Sequence, residues 1–232
     1  MNTYATAGTP VAALDTEARA TFMLRTYLHL FGAILAFAAV EYALFASGLA
    51  APIAETMLSG SWLLVLGGFV IVSWLASNTA HRAESKAAQY LALGGFILAE
   101  ALIFVPLLFV AAYYTNDPGV INKAAWVTLL GFSGLTAVAY TTRKDFSFLG
   151  GLLRWAFVLA LVAIVAGVIF GFELGTWFSV AMIGLAGAAI LYDTSKVMYH
   201  YPEDRYVAAS LELFASVALM FWYVLRLFMS RD

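Results

Sequence analysis

The sequence predicts an all-α membrane protein: a seven-transmembrane-helix bundle with its N-terminus cytoplasmic and its C-terminus outside. Three observations predict it. Of 232 residues, 63% are hydrophobic and only 11% charged, where a soluble domain carries about 25% charged residues. The apolar residues fall into seven stretches, each close to the roughly 20 needed to cross a hydrocarbon core as a helix. Lys and Arg gather in alternate loops, which orients the chain.

In order, the predicted spans lie near 26–47, 61–80, 89–113, 124–141, 147–172, 176–197 and 206–229. Short breaks rich in Gly, Pro, Asn or charge separate them: "SGLAAPIAET", "HRAESK", "TNDPGVINK", "TTRKD", "FELG" and "YHYPEDR". No break is long enough to divide domains. The expected organisation is therefore a flexible cytoplasmic N-terminal tail, residues 1–22, followed by one transmembrane domain, residues 23–232. The tail is polar and includes Asp15 and Glu17, unlike the basic start of a secretory signal. The first apolar stretch thus reads as a retained helix.

Arg19, Arg25, Arg82, Lys86, Arg143, Lys144, Lys196 and Arg205 fall on the side of the N-terminus; only Lys123, Arg226 and Arg231 fall on the other. By the positive-inside rule the first side is cytoplasmic. Trp62, Trp126 and Trp177 then all sit at the outer ends of spans, the interface that indole rings favour. Small residues mark expected helix contacts: Gly167 and Gly171 at GxxxG spacing, Met182, Ala186, Ala189 and Asp193 along span 6, and Ala208, Ala209, Glu212, Ala215, Ser216 and Leu219 along span 7.

Among the ionisable residues inside predicted spans are Glu41, Glu100, Arg154, Asp193 and Glu212. Each costs about 2.5–3.5 kcal/mol at a helix centre on insertion scales, so each must pair, neutralise or line water. Asp193 and Glu212 are expected at similar depth near the cytoplasmic end, on the small-residue faces of adjacent antiparallel helices. Two carboxylates there would form a proton-sensitive latch or a cation site; the plain alternative is solvation or pairing with Lys196, Arg205 or a Tyr hydroxyl. Glu100 lies mid-span, six residues before Pro106, and could serve an ion pathway or pair with Arg154. Arg154 can also snorkel to the cytoplasmic surface. Glu41 reads as structural.

Other chemistry finds no support. There is no cysteine, no nucleotide loop, no metal-ligand spacing among His29, His81 and His200, and no nucleophile and base at catalytic spacing. The reading is a non-enzyme with no cofactor and no bound metal. Its net charge of −2 gives no footprint for nucleic acid.

The stretch "LYDTSKVMYHYPEDRYVAASLELFASVALMFWYVLRLF" resembles the C-terminal signature of the Bax inhibitor-1/YccA family: an aromatic-Asp-Thr-Ser end to span 6, a Tyr-rich loop, and a "SLELF…VLRLF" span 7. "YTTRKDFSFLGGLL" and the terminal "SRD" are similar to the YccA branch. The likeness is close from Tyr140 to Asp232 and looser through spans 1 to 3. It implies a bundle with the last helix near the middle, in the bacterial inner membrane. It also implies one of two activities. The YccA branch is associated with the membrane protease FtsH as a modulator; other branches act as pH-sensitive calcium leaks through two aspartates on spans 6 and 7. The first of those aspartates falls on Asp193 and the second on Ser216, which cannot ionise. Glu212, one turn earlier on the same face, could substitute only at a shallower depth. "GGFILAEALIFVPLL" departs from the family's third span, so Glu100 inherits no role. The expected partners are the lipid bilayer and FtsH, with calcium or protons under the second activity.

Overall fold

The computed structural model describes residues 9–60 and 62–230. The remainder of the N-terminal tail, Ser61 at the start of the second predicted span, and Arg231 and Asp232 lie outside them. The described residues form eight α-helices: α1 Thr16–Ala46, α2 Ala50–Ser59, α3 Trp62–Arg82, α4 Lys86–Tyr113, α5 Val120–Thr142, α6 Leu149–Phe170, α7 Gly175–Tyr199 and α8 Tyr206–Met229. All but α2 are long and apolar enough to cross a membrane.

Two boundaries differ from the sequence reading. Helix α1 begins at Thr16, within the stretch read as tail, because Asp15 caps it: its carboxylate accepts the Ala18 amide at 2.8 Å, satisfying one of the free donors of the first turn. The first break also contains a helix of its own, α2. It is too short to span a bilayer, but it turns Ala50 and Ala54 onto Val105 of α4 and buries them there. Gly48, at φ +76°, makes the reversal out of α1 that lets α2 begin.

The last helix is the axis of the bundle. It packs against α1, α3, α4, α5 and α7, and 72% of its apolar stretch is buried, against 17% for α6. Inside a bilayer hydrophobicity does not draw helices together, so close packing must. Aromatic rings supply much of it. Phe104 of α4 stacks on Phe221 and meets Trp222 edge-on, with centroids 5.6 and 5.0 Å away. Phe96 and Phe37 both close on Phe214. Helix α6 instead exposes Leu152, Trp155, Val158, Leu159, Ile169 and Phe170, the surface that lipid covers.

The small-residue stripe of α7 faces inward as expected, with Met182, Ala186, Ala189 and Asp193 all buried. The glycine pair of α6 does something else. Gly171, at φ +72°, ends the helix in the left-handed conformation. A Cβ on Gly167 would come within 3.1 Å of the Phe172 carbonyl. The pair makes room for the chain folding back on its own helix end, where Phe172 and Leu174 lie against Gly167.

The N-terminal segment is held down. Pro10 pairs with Pro202 in an isolated antiparallel bridge, the Val11 amide donates to the Tyr201 carbonyl at 2.9 Å, and the Glu203 amide donates to the Thr9 carbonyl at 3.3 Å. Val11 is fully buried. Arg19 follows one turn into α1, donating to the Met198 carbonyl and lying over the Tyr199 ring. This strap lies across the α7–α8 link.

Candidate functional site

Beneath the strap, α3, α7 and α8 meet around two carboxylates. Asp193 lies on α7 six residues before the helix ends at Tyr199. Its neighbours Thr194, Ser195, Val197 and Met198 are all buried, so the acid belongs to a packed helix and not to a fraying terminus. It is itself buried, and its partner is Ser216 of α8, whose hydroxyl donates to Asp193 Oδ2 at 2.6 Å. A hydrogen bond in such low-dielectric surroundings is stronger than one in water.

Glu212, one turn earlier on α8, turns to a different helix. Its Oε1 accepts from the Ser77 hydroxyl of α3 at 2.6 Å and lies 3.7 Å from His81 Nδ1. His81 Nδ1 donates to the Ser77 carbonyl one turn back at 2.8 Å. That leaves Nε2 to accept from the Tyr201 hydroxyl at 3.2 Å, while the two rings pack 5.8 Å apart. Tyr201 belongs to the α7–α8 link and is buried. Burial pushes its phenol well above the usual value, and the Glu212 and Asp193 carboxylates nearby push it further. The Lys196 ammonium lies 5.2 Å from the Tyr201 ring centroid and 5.2 Å from that of Tyr192.

The structure thus brings Asp193, Ser216 and Glu212 to one end of the bundle, as the sequence reading expected, but divides the two acids between partners. Asp193 is tied to α8 and Glu212 to α3. Three residues of the site escaped the sequence reading: Ser77, His81 and Tyr201. The signal for the first two was their four-residue spacing, which puts both on one face of a helix. His81 was assigned to the loop "HRAESK", yet α3 continues through it to Arg82.

Glu100 and Arg154 stand apart from this site and from each other. Glu100 is buried on α4, fourteen residues or roughly 21 Å along the helix, between Phe96 and Phe104. Arg154 lies on the exposed face of α6. No ion pair joins them; a guanidinium so near the start of its helix reaches the membrane boundary more cheaply than the bundle interior. Glu41, five residues before the end of α1, is buried with neither carboxylate oxygen hydrogen-bonded. The interior therefore holds acids at three levels: Asp193 and Glu212 near one end, Glu100 at mid-depth and Glu41 toward the other end. Such an arrangement can hold a proton or a cation.

Comparison with known proteins gives a consistent picture. A model of the family described as inhibitor of apoptosis-promoting Bax1 matches residues 19–232. The chain is 32% identical to the modulator of FtsH protease YccA of Escherichia coli K12 over 174 residues, covering 73% of this chain and 76% of that one. The counterpart in E. coli O6:H1 carries the name inner membrane protein YccA. An uncharacterised protein of Pseudomonas aeruginosa is also 32% identical, over 71% of this chain and 72% of its own. A Golgi anti-apoptotic protein of vaccinia virus is 28% identical over 75% and 71% respectively.

Proposed function

This chain belongs to the Bax inhibitor-1 family and is a multi-pass inner-membrane protein, and from that premise we propose that it modulates a membrane protease of the FtsH type, with its N-terminus in the cytoplasm. The observation that carries this reading is the Ser216–Asp193 hydrogen bond. Where two facing carboxylates would repel and so open and close with protonation, this chain has a carboxylate held by a hydroxyl. Glu212, the other acid, is fastened to α3 through Ser77. Three helices are cross-linked at the end where Val11 and Arg19 hold the N-terminal segment. A protease that extracts membrane proteins from the N-terminal side meets a segment, from Thr9 to Arg19, that is tied to its own bundle. Such a chain occupies the enzyme without yielding quickly, and so slows other substrates. The likeness to a named FtsH modulator supports the same reading.

The test is co-purification with the protease complex together with pulse-chase lifetimes of its membrane substrates. Overproduction of this protein is expected to lengthen those lifetimes; unchanged lifetimes would remove the proposal.

A second reading, a pH-sensitive calcium or cation leak, is favoured by the buried acids at three depths. It predicts calcium flux through the purified protein in liposomes that varies between about pH 5 and 8, and that changes in Asp193→Asn and Glu212→Gln. A flat, zero flux eliminates it and leaves the first reading intact.

A further inference from the structure

We infer that the groove between α1 and α4, at the end of the bundle where the N-terminal strap lies, binds an anionic phospholipid, its headgroup at a basic rim and an acyl chain along an apolar trough. This rests on the membrane setting, not on the protease reading.

The trough is a recess of about 320 Å³ on the outer surface of the bundle. Leu28, Gly32 and Ala33 of α1 form one wall, and Leu93, Gly94 and Ile97 of α4 the other. Gly32 and Gly94 account for the recess, since a Cβ on either would meet nothing within 4 Å. Helices α1 and α4 both begin at this end, so the trough runs from the membrane boundary inward. From Tyr90 to Ile97 is seven residues, roughly 10 Å along the helix, enough for the upper part of an acyl chain.

The rim is of another character. Tyr206, the first residue of α8, stands between two cations: the Lys86 ammonium lies 4.2 Å from its ring centroid, and the Arg25 guanidinium carbon 5.6 Å. Among the described residues, neither cation has a carboxylate within salt-bridge distance. Asp204, two residues before Tyr206, pairs through its carboxylate with Arg205 at 3.3 Å and accepts from Lys86 only through its backbone carbonyl. The cations are held instead by the face of the ring, which attracts positive charge without neutralising it. A ladder of hydrogen bonds fixes that ring. The Tyr206 and Tyr90 hydroxyls are 3.4 Å apart, Tyr90 bonds to His29 Nε2 at 2.9 Å, and His29 Nδ1 donates to the Arg25 carbonyl at 2.6 Å.

Two unneutralised cations, fixed by aromatic rings at the level where the spans begin, complement a phosphodiester. Tyr at this level is itself the usual marker of the membrane interface. A basic pocket between helices with an apolar continuation is the arrangement that selects anionic lipid. A soluble anion would satisfy the rim but leave the trough without an occupant.

The experiment uses full-length protein in detergent, with lipid retention read by native mass spectrometry. The probes are phosphatidylglycerol, phosphatidylcholine of the same acyl chains, and inorganic phosphate. Phosphatidylglycerol is expected to bind about thirtyfold more tightly than phosphatidylcholine, the scale of two basic side chains at a membrane surface. Arg25→Gln with Lys86→Gln is expected to bring that ratio near one. Gly94→Leu, and independently Gly32→Leu, should fill the trough and lower retention of both lipids while sparing the cations. Both replace a helical glycine that faces open space by a better helix former, so the fold should survive. Equal retention of the two lipids, a preference that persists in the double variant, retention untouched by both leucine variants, or phosphate competing as well as the lipid would each overturn the inference.

Discussion

The Ser216 hydroxyl donates to the Asp193 carboxylate across 2.6 Å of buried space, and this one bond joins the central helix to its neighbour α7. Ser216→Ala leaves the carboxylate without that donor. A buried acceptor left without its donor costs about 1–3 kcal/mol, so the variant should lose stability on that scale in denaturant unfolding. Asp193→Asn keeps an acceptor oxygen and should lose less.

A second junction governs acid sensitivity. Asp145, in the α5–α6 link, accepts from the Ser195 hydroxyl at 3.0 Å, the Ser147 amide at 2.9 Å and His200 at 2.9 Å. Burial opposes its ionisation, but the bonds from Ser147, His200 and Ser195 outweigh that and bring its pKa from 3.8 to about 2. A folded value below the unfolded one means the ionised carboxylate stabilises the fold above about pH 4 and loses that effect as pH falls toward 2. The melting temperature of the wild type should fall through this window more steeply than that of Asp145→Asn.

The strap should come loose when Val11 becomes charged. Val11→Asp places a carboxylate in a fully buried apolar position, which a protein avoids by moving the segment into water. Tryptic cleavage after Arg19 is expected to rise at least about tenfold, the equivalent of 1.4 kcal/mol of opening. An unchanged rate would show that the strap does not guard that site.

Glu41 predicts a gain. Its two carboxylate oxygens are buried without hydrogen bonds, and a buried polar group left unsatisfied costs about 1–3 kcal/mol that an apolar side chain of similar volume avoids. Glu41→Met should raise resistance to unfolding by about 1 kcal/mol or more. If the leak reading holds, the same variant should alter calcium flux, which tests whether the acid is kept for transport.

The orientation can be read by chemistry, because the chain has no cysteine. Lys144→Cys should be protected from an impermeant maleimide in intact cells, whereas Asn116→Cys should react. The reverse pattern would invert the topology, since these positions lie in links at opposite ends of α5.

Much of this was legible from the residues. Seven spans and the inward stripe of α7 follow from periodicity, and Asp193 and Ser216 from a short motif. Helix α2 was not legible, because ten residues between two spans read as a loop until Val105 supplies the surface that buries Ala50 and Ala54. The partner of Glu212 was not legible either: Ser77 lies 135 positions away and carries no mark of its own. The GxxxG pair pointed to a helix contact, but in α6 it makes room for the chain's own return.

What the sequence determined alone was how many times the chain crosses the membrane and which stretches do so, because an apolar medium forces every spanning backbone to satisfy its hydrogen bonds within a helix. It also determined which helix faces are too small or too polar for lipid. Only the tertiary structure decided which acid meets which donor. Periodicity specifies the face a side chain occupies, but not the neighbour that arrives there, and the choice between Ser216 and Ser77 depends on how α3, α7 and α8 cross.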